Sequence, residues 1–248
     1  MQSNLGTEFL ASFAIYPSQC DVSLHLSLPA ALAICQDIAT QHAAEMGVDG
    51  DSLHRKSNAY WVVTRTKLRF LGRPTMLQQI TAETWPSAPK GIRCDRSYRL
   101  SQGETTFIEG HSEWVMIDAD TCKLQRIENT CYPGDLCYRE DRVCTEPYCR
   151  FKDDFSQEEQ VGQRVIRPTD IDFVHHMNNV AYARLLLDTF PTAFWVEHEP
   201  LEIELRFLCE CHEGETVTVY RRHKENRFYF AIRTPQGETA VLAALLIK

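Results

Sequence analysis

Between residues 28 and 46, alternating steps of four and three pick out Leu28, Leu32, Cys35, Ala39, His42 and Met46, which share one face of a helix. Pro29 suits the first turn of that helix, Ser27 is its expected cap, and Gly47 stops it. The pattern then changes period. Over residues 60–70, Tyr60, Val62, Leu68 and Phe70 are expected on the buried face of a strand, with Arg65, Lys67 and Arg69 on the other. Further strand-like runs follow at 79–85, 92–100 and 106–117, separated by Pro86, Ser87, Pro89, Ser101 and Gly103.

The same order returns downstream. A helix is expected over 179–190, ended by Pro191, and strand-like runs over 201–207, 217–222, 228–233 and 239–248. Two sequence echoes accompany this order. Pro17, Asp21 and His25 recur as Pro168, Asp172 and His176 at an offset of 151, and LRFL at 68–71 recurs at 205–208 at an offset of 137. The chain is therefore expected to be a duplication of one α+β unit, a helix laid on an antiparallel sheet. The expected boundaries are residues 1–125 and 161–248. Between them, residues 126–160 keep no period, carry Pro133 and Pro147, and end in the acidic KDDFSQEEQ, so they read as a linker.

Composition narrows the function classes. With 248 residues and 44% apolar content, the chain can bury a sizeable core in each half. A formal net charge of -8 argues against a general nucleic-acid binder, which needs a basic surface to displace counterions. The amino-terminal residues lack a cationic start followed by an apolar run, and no apolar stretch is long enough to span a bilayer, so a soluble cytoplasmic protein is expected. Five of the ten cysteines fall between Cys122 and Cys149, yet none forms a C-x-x-C pair; free thiols are expected, with no metal.

The polar residues of the second copy are the candidate chemistry. Asp172, His176, Asn178 and Asn179 precede or open the second helix, and Glu210 follows the next strand. A carboxylate beside an imidazole at a helix mouth can activate water for attack on a carbonyl, while backbone N–H groups at the helix start hold the developing oxyanion. The same residues also suit helix capping. In the first copy Arg73 stands where Glu210 would be, and Ser27-Leu28 replaces Asn178-Asn179, so that copy has no base.

The segment DIDFVHHMNNVAY at 170–182 resembles the D-x-D-x-N-x-H-x-N-N-V-x-Y signature of the acyl-acyl carrier protein (acyl-ACP) thioesterases. YWVVTR at 60–65 and GETTFIEGHSEWVMID at 103–118 are similar to the first half of that family, and the likeness runs from about Phe9 to the end. The resemblance implies two tandem hotdog domains, each a long helix wrapped by an antiparallel sheet, and hydrolysis of a fatty acyl thioester without a cofactor. It assigns Asp172, His176 and Glu210 to catalysis, with Glu210 as the general base. Asn178, Asn179, Val174 and His175 are expected at the substrate. Val174 departs from the family, which has asparagine there. Strand alternation sends Glu210 and Cys211 to opposite faces, so only one of them is expected to reach His176, with a bulge as the device that would turn Glu210 inward.

By the same resemblance the first domain holds the acyl chain, with Leu32, Cys35 and Ala39 as expected pocket walls. The partner is acyl carrier protein, an acidic protein that needs a basic face; Arg221 and Arg222 are the expected patch, with Arg65, Lys67 and Arg69 as a second. An acyl-coenzyme A thioesterase on the same scaffold and a catalytically weak acyl-ACP-binding protein are the alternatives, and a homodimer is open.

Overall fold

A computed structural model describes residues 8–134 and 136–248; the first seven residues, part of the amino-terminal reading above, and Asp135 in the linker lie outside the described residues. Among the described residues, ten strands form one antiparallel sheet. In chain order they are β1 (Phe9–Ala14), β2 (Ala59–Phe70), β3 (Gln79–Pro86), β4 (Arg93–Gln102), β5 (Thr105–Asp118), β6 (Gln160–Val165), β7 (Pro200–Phe207), β8 (Thr216–Lys224), β9 (Arg227–Arg233) and β10 (Thr239–Ile247). The sheet runs β1-β3-β4-β5-β2-β7-β10-β9-β8-β6, so the second half repeats the first from its own outer edge inward. The halves join edge to edge, Lys67 opposite Glu204 and Leu68 opposite Ile203, which puts the two LRFL echoes in neighbouring strands.

Two helices cross this sheet: α1 (Leu28–Glu45), with the short α2 (Gly50–Ser57) behind it, and α3 (Asn179–Leu187), followed by α4 (Thr192–Glu197). Ser27 caps α1 through the Ala30 N–H, and Asn178 caps α3 through the Val180 N–H at 2.8 Å. Both long helices bury their apolar faces in one continuous core, with Leu28, Ile34 and Ile38 from the first and Val180, Leu185 and Leu186 from the second. Each such side chain contributes roughly 1.5–3 kcal/mol relative to exposure.

The expected inner face of β2 needs correction. Its register against β5 shifts between Val63 and Arg65, and Val63 and Thr66 line the same cavity. An extra residue in a strand reverses the alternation beyond it, so Tyr60 and Val62 are not on the face of Leu68 and Phe70. Tyr60 instead stacks on His54 of α2, ring centroids 5.0 Å apart.

On the face away from the helices, the linker lies over the junction of the two halves. Lys67 and Glu204 form a buried ion pair of 2.8 Å. Lys67 Nζ also donates to the carbonyls of Glu146 and Pro147 at 3.1 and 3.3 Å, and the Tyr148 ring lies 5.0 Å from that ammonium. Arg69 pairs with Glu146, and Arg65 approaches Glu113 at 3.8 Å. The cationic stripe of β2 is therefore the floor beneath the linker.

Candidate active site

The duplicated turn is reproduced hydrogen bond by hydrogen bond. Asp21 N–H donates to His25 O at 2.9 Å and Asp172 N–H to His176 O at 3.0 Å. Ser27 N–H meets Gln19 O at 2.9 Å, and Asn178 N–H meets Asp170 O at 2.8 Å. Leu24 and His175 hold the same left-handed conformation, with φ of 59° and 65°. Leu26 and Met177 donate to Pro74 O and Cys211 O at 2.8 and 2.9 Å, which ties each turn to the segment after β2 or β7. That last bond brings the segment carrying Glu210 alongside His176.

The two copies differ in what this proximity joins. In the second, His176 Nε2 lies 3.0 Å from Glu210 Oε2, with side-chain exposures of 31% and 52%. The pair is open enough to admit substrate and water. In the first copy, the residue matching Glu210 is Arg73, which forms an ion pair with Asp21 and takes no part with His25. Opposite charge at one position separates a His–Glu pair from an Asp–Arg ion pair.

Asp172 is hydrogen-bonded to the backbone of its own turn. Its Oδ1 accepts from the Val174 N–H at 3.0 Å, and its carbonyl accepts from the His175 N–H at 3.0 Å. This is an Asx turn that sets the direction of His176. His175 is exposed, and Asn178 is committed to its helix cap. The Val180 N–H, one of the expected oxyanion donors, is taken by that cap. Asn179 remains as the polar side chain facing a cavity.

The Glu210 and Cys211 side chains separate as strand alternation predicts. Ile203, Leu205 and Cys211 are buried, while Glu210 lies on the outer side with His176. No inward-turning bulge is needed, because the imidazole is itself outside. Burial pushes the Cys211 thiol up to about 11, against a smaller opposing effect of the Tyr182 hydroxyl. It is a packing residue, held as the unreactive thiol. His212 was not singled out by the sequence, yet its ring lies edge-on to His176, centroids 5.2 Å apart.

One cavity, lined from α1 and the start of α3 where the halves meet, measures about 30 Å³, and a wider one of about 550 Å³ lies beneath the linker beside Arg65, Tyr148 and Arg206. Leu32 and Cys35 from α1 line the smaller one together with Asn179, Val180, Trp114 and Phe207. Ala39, also expected there, is buried elsewhere along α1 and is not part of this lining. The first half also borders the turn that carries Asp172 and His176, since the Phe173 ring lies beside Gly50 of α2.

The two arginines of the expected basic patch have partners within the chain. Arg221 donates to Thr189 O at 2.7 Å and lies 4.3 Å from the Phe190 ring centroid. Arg222 pairs with Glu159 and Asp154, and holds the Glu159 carboxyl down to about 2. Both guanidinium groups are engaged within the chain, and Arg222 fastens the end of the linker to β8.

A helix over each half of one antiparallel sheet, one half repeating the other, is the architecture of a tandem hotdog protein. The profile of the acyl-ACP thioesterase N-terminal domain matches residues 6–133, and that of the C-terminal domain matches residues 154–246. The chain belongs to the acyl-ACP thioesterase family. It is 24% identical over 228 residues to oleoyl-acyl carrier protein thioesterase 2 of Arabidopsis thaliana, covering 86% of this chain and 62% of that one. It is 26% identical to an acyl-[acyl-carrier-protein] hydrolase of Cuphea viscosissima, covering 89% and 57%. The chain thus spans less than two thirds of the length of these curated relatives. In fold it is similar to an acyl-ACP thioesterase from Bacteroides thetaiotaomicron, with a TM-score of 0.88 at 19% identity over 97% of this chain and 98% of that one. It is also similar to the 12:0-ACP thioesterase from Umbellularia californica, with a TM-score of 0.79 at 18% identity over 98% of each chain. Among the described residues, no helix is long and apolar enough to cross a membrane.

Proposed function

We propose that this chain hydrolyses the thioester between a fatty acyl group and acyl carrier protein, releasing the free fatty acid and the carrier thiol. The single observation that carries the reading is the 3.0 Å approach of His176 to Glu210, found in the second half and replaced by Asp21 with Arg73 in the first. Glu210 takes a proton from a water as that water attacks the thioester carbonyl carbon. His176 orients the carboxylate and relays that same proton from Glu210 to the departing sulfur as the carbon–sulfur bond breaks, which returns both side chains to their starting state. Asp172 fixes the turn that aims His176. With valine at 174, the carbonyl oxygen relies on the Asn179 side chain and on backbone donors.

Acyl carrier protein enters the reading through the family, and through the relatives whose names carry it. The acyl chain is assigned to the cavity between the halves, which joins Leu32 and Cys35 to Asn179 beside the catalytic turn. At about 30 Å³ it has room for only one or two water molecules, so Trp114 and Phe207 must turn aside to admit a fatty chain. Free fatty acid released from acyl-ACP and from acyl-coenzyme A, measured side by side, tests the proposal. A clear preference for the carrier protein in kcat/KM supports it; equal or reversed preference favours the coenzyme A reading, and binding without turnover favours the acyl-binding one.

A further inference from the structure

The residue beyond the acid–base pair gives its surroundings a second chemistry. A ring nitrogen of His176, a carboxylate oxygen of Glu210 and a ring nitrogen of His212 all lie within 4.8 Å of one another. Two imidazoles and one carboxylate are the donor set that binds zinc and its neighbours in the first transition series. Bonds of about 2.0–2.2 Å in tetrahedral geometry place such donors roughly 3.4 Å apart, so small side-chain rotations suffice. His176 and Glu210 already meet at 3.0 Å. The backbone beneath His212 is fixed, its N–H donating to Glu215 Oε2 at 3.0 Å, while its side chain is exposed and free to turn.

The charge of the segment favours a cation, since Glu210, Glu213 and Glu215 fall within six residues. The first half supplies an internal contrast: Arg73 and Thr75 occupy the positions matching Glu210 and His212, so His25 has neither companion ligand there.

We propose that His176, Glu210 and His212 form a site for a divalent transition-metal ion, zinc foremost, and that its occupation switches off hydrolysis. The inhibitory half of this statement rests on the proposed function; the binding half does not. A bound ion would engage the lone pair of the His176 imidazole and an oxygen of Glu210, so the imidazole could not take up a proton and the carboxylate would be a much weaker base. Zinc would compete with the reaction for the same two atoms, and chelation would reverse the effect.

The test uses the full chain and zinc chloride. Calorimetry should show an ion bound by the wild type that His212→Gln weakens by roughly tenfold or more, since outer-shell changes alone cost 10–100-fold. Cobalt(II) provides a readout that needs no variant: ligand-field bands without a thiolate charge-transfer band identify histidine and carboxylate ligation, whereas a strong thiolate band would overturn the site in favour of the exposed cysteines. Zinc should lower thioester hydrolysis, a chelator should restore it, and His212→Gln should keep its zinc-free rate while needing roughly tenfold more zinc for the same loss. Equal zinc affinity in wild type and His212→Gln would overturn the site. Tight binding with unchanged or increased hydrolysis would overturn the switch. If the zinc-free enzyme fails to hydrolyse any acyl thioester, the proposed function falls, and the calorimetric comparison still decides whether the metal site exists.

Discussion

His176 Nε2 lies 3.0 Å from Glu210 Oε2, whereas Arg73, which matches Glu210 in the duplicated half, pairs with Asp21. One turn has been kept twice and given opposite electrostatics. The Arg73 side chain is 6% exposed, so removing it leaves a partly buried carboxylate without its partner. Arg73→Ala should therefore cost about 2 kcal/mol of stability, the scale of a lost hydrogen bond to a charged group, while leaving kcat unchanged. Urea unfolding beside a turnover assay separates the two; a large fall in kcat at full stability would mean that the first half contributes chemistry.

Cys211 sits one residue from the proposed base and invites a nucleophilic account. Its burial and its thiol, pushed up to about 11, oppose that account. Cys211→Ser should keep most of the wild-type kcat, and the pH–rate profile should not move. A loss on the order of 100-fold with native stability would restore the thiol to the mechanism.

The Lys67–Glu204 pair is buried where the halves join. Truncating one member strands a charge away from water, which typically costs 3–5 kcal/mol, whereas replacing both with apolar residues is nearly neutral. Lys67→Met should shift the denaturation midpoint strongly, and Lys67→Met with Glu204→Leu should recover part of the loss, the remainder reflecting the Glu146 and Pro147 carbonyls and the Cys149 N–H that lose their partners. Additive losses in the double variant would contradict this.

His42 gives a pH signature. Its ring is buried against Arg96, whose Nη1 donates to His42 Nδ1 at 3.0 Å. Burial, and then the nearby guanidinium, lower its pKa from 6.5 to about 4. Below about pH 6.5 the unfolded chain takes up a proton that the folded chain refuses, so stability falls as pH drops toward 4 and this contribution is spent below it. The shift corresponds to about 3 kcal/mol. His42→Gln should show a shallower stability loss than wild type between pH 6.5 and 4; parallel curves would assign the acid sensitivity to other groups.

Much of the frame was legible in residues. The spacing of Leu28, Leu32 and Cys35 fixed α1 nearly to its ends, and the recurrence of Pro17, Asp21 and His25 exposed the duplication before any coordinates. Short elements were not legible: α2 buries only Leu53, and β6 turns Val161 and Val165 outward, so neither carries the apolar period of its type. Arg65, Lys67 and Arg69 look like a solvent face until the linker folds over them with Glu146, a contact between residues far apart in sequence. The intrachain partners of Arg221 and Arg222 were hidden for the same reason, since Thr189, Glu159 and Asp154 reach them only in three dimensions. His212 carried no motif; folding alone sets it beside His176.

The central claim is that the Glu210 carboxylate activates water, and the rate of acyl-ACP hydrolysis by Glu210→Gln measures it most directly. This substitution keeps shape and removes the base, and at 52% side-chain exposure it should leave stability nearly unchanged. The account predicts a fall in kcat of roughly 100-fold or more, with KM little altered. A folded Glu210→Gln protein that turns over at close to the wild-type rate would contradict it.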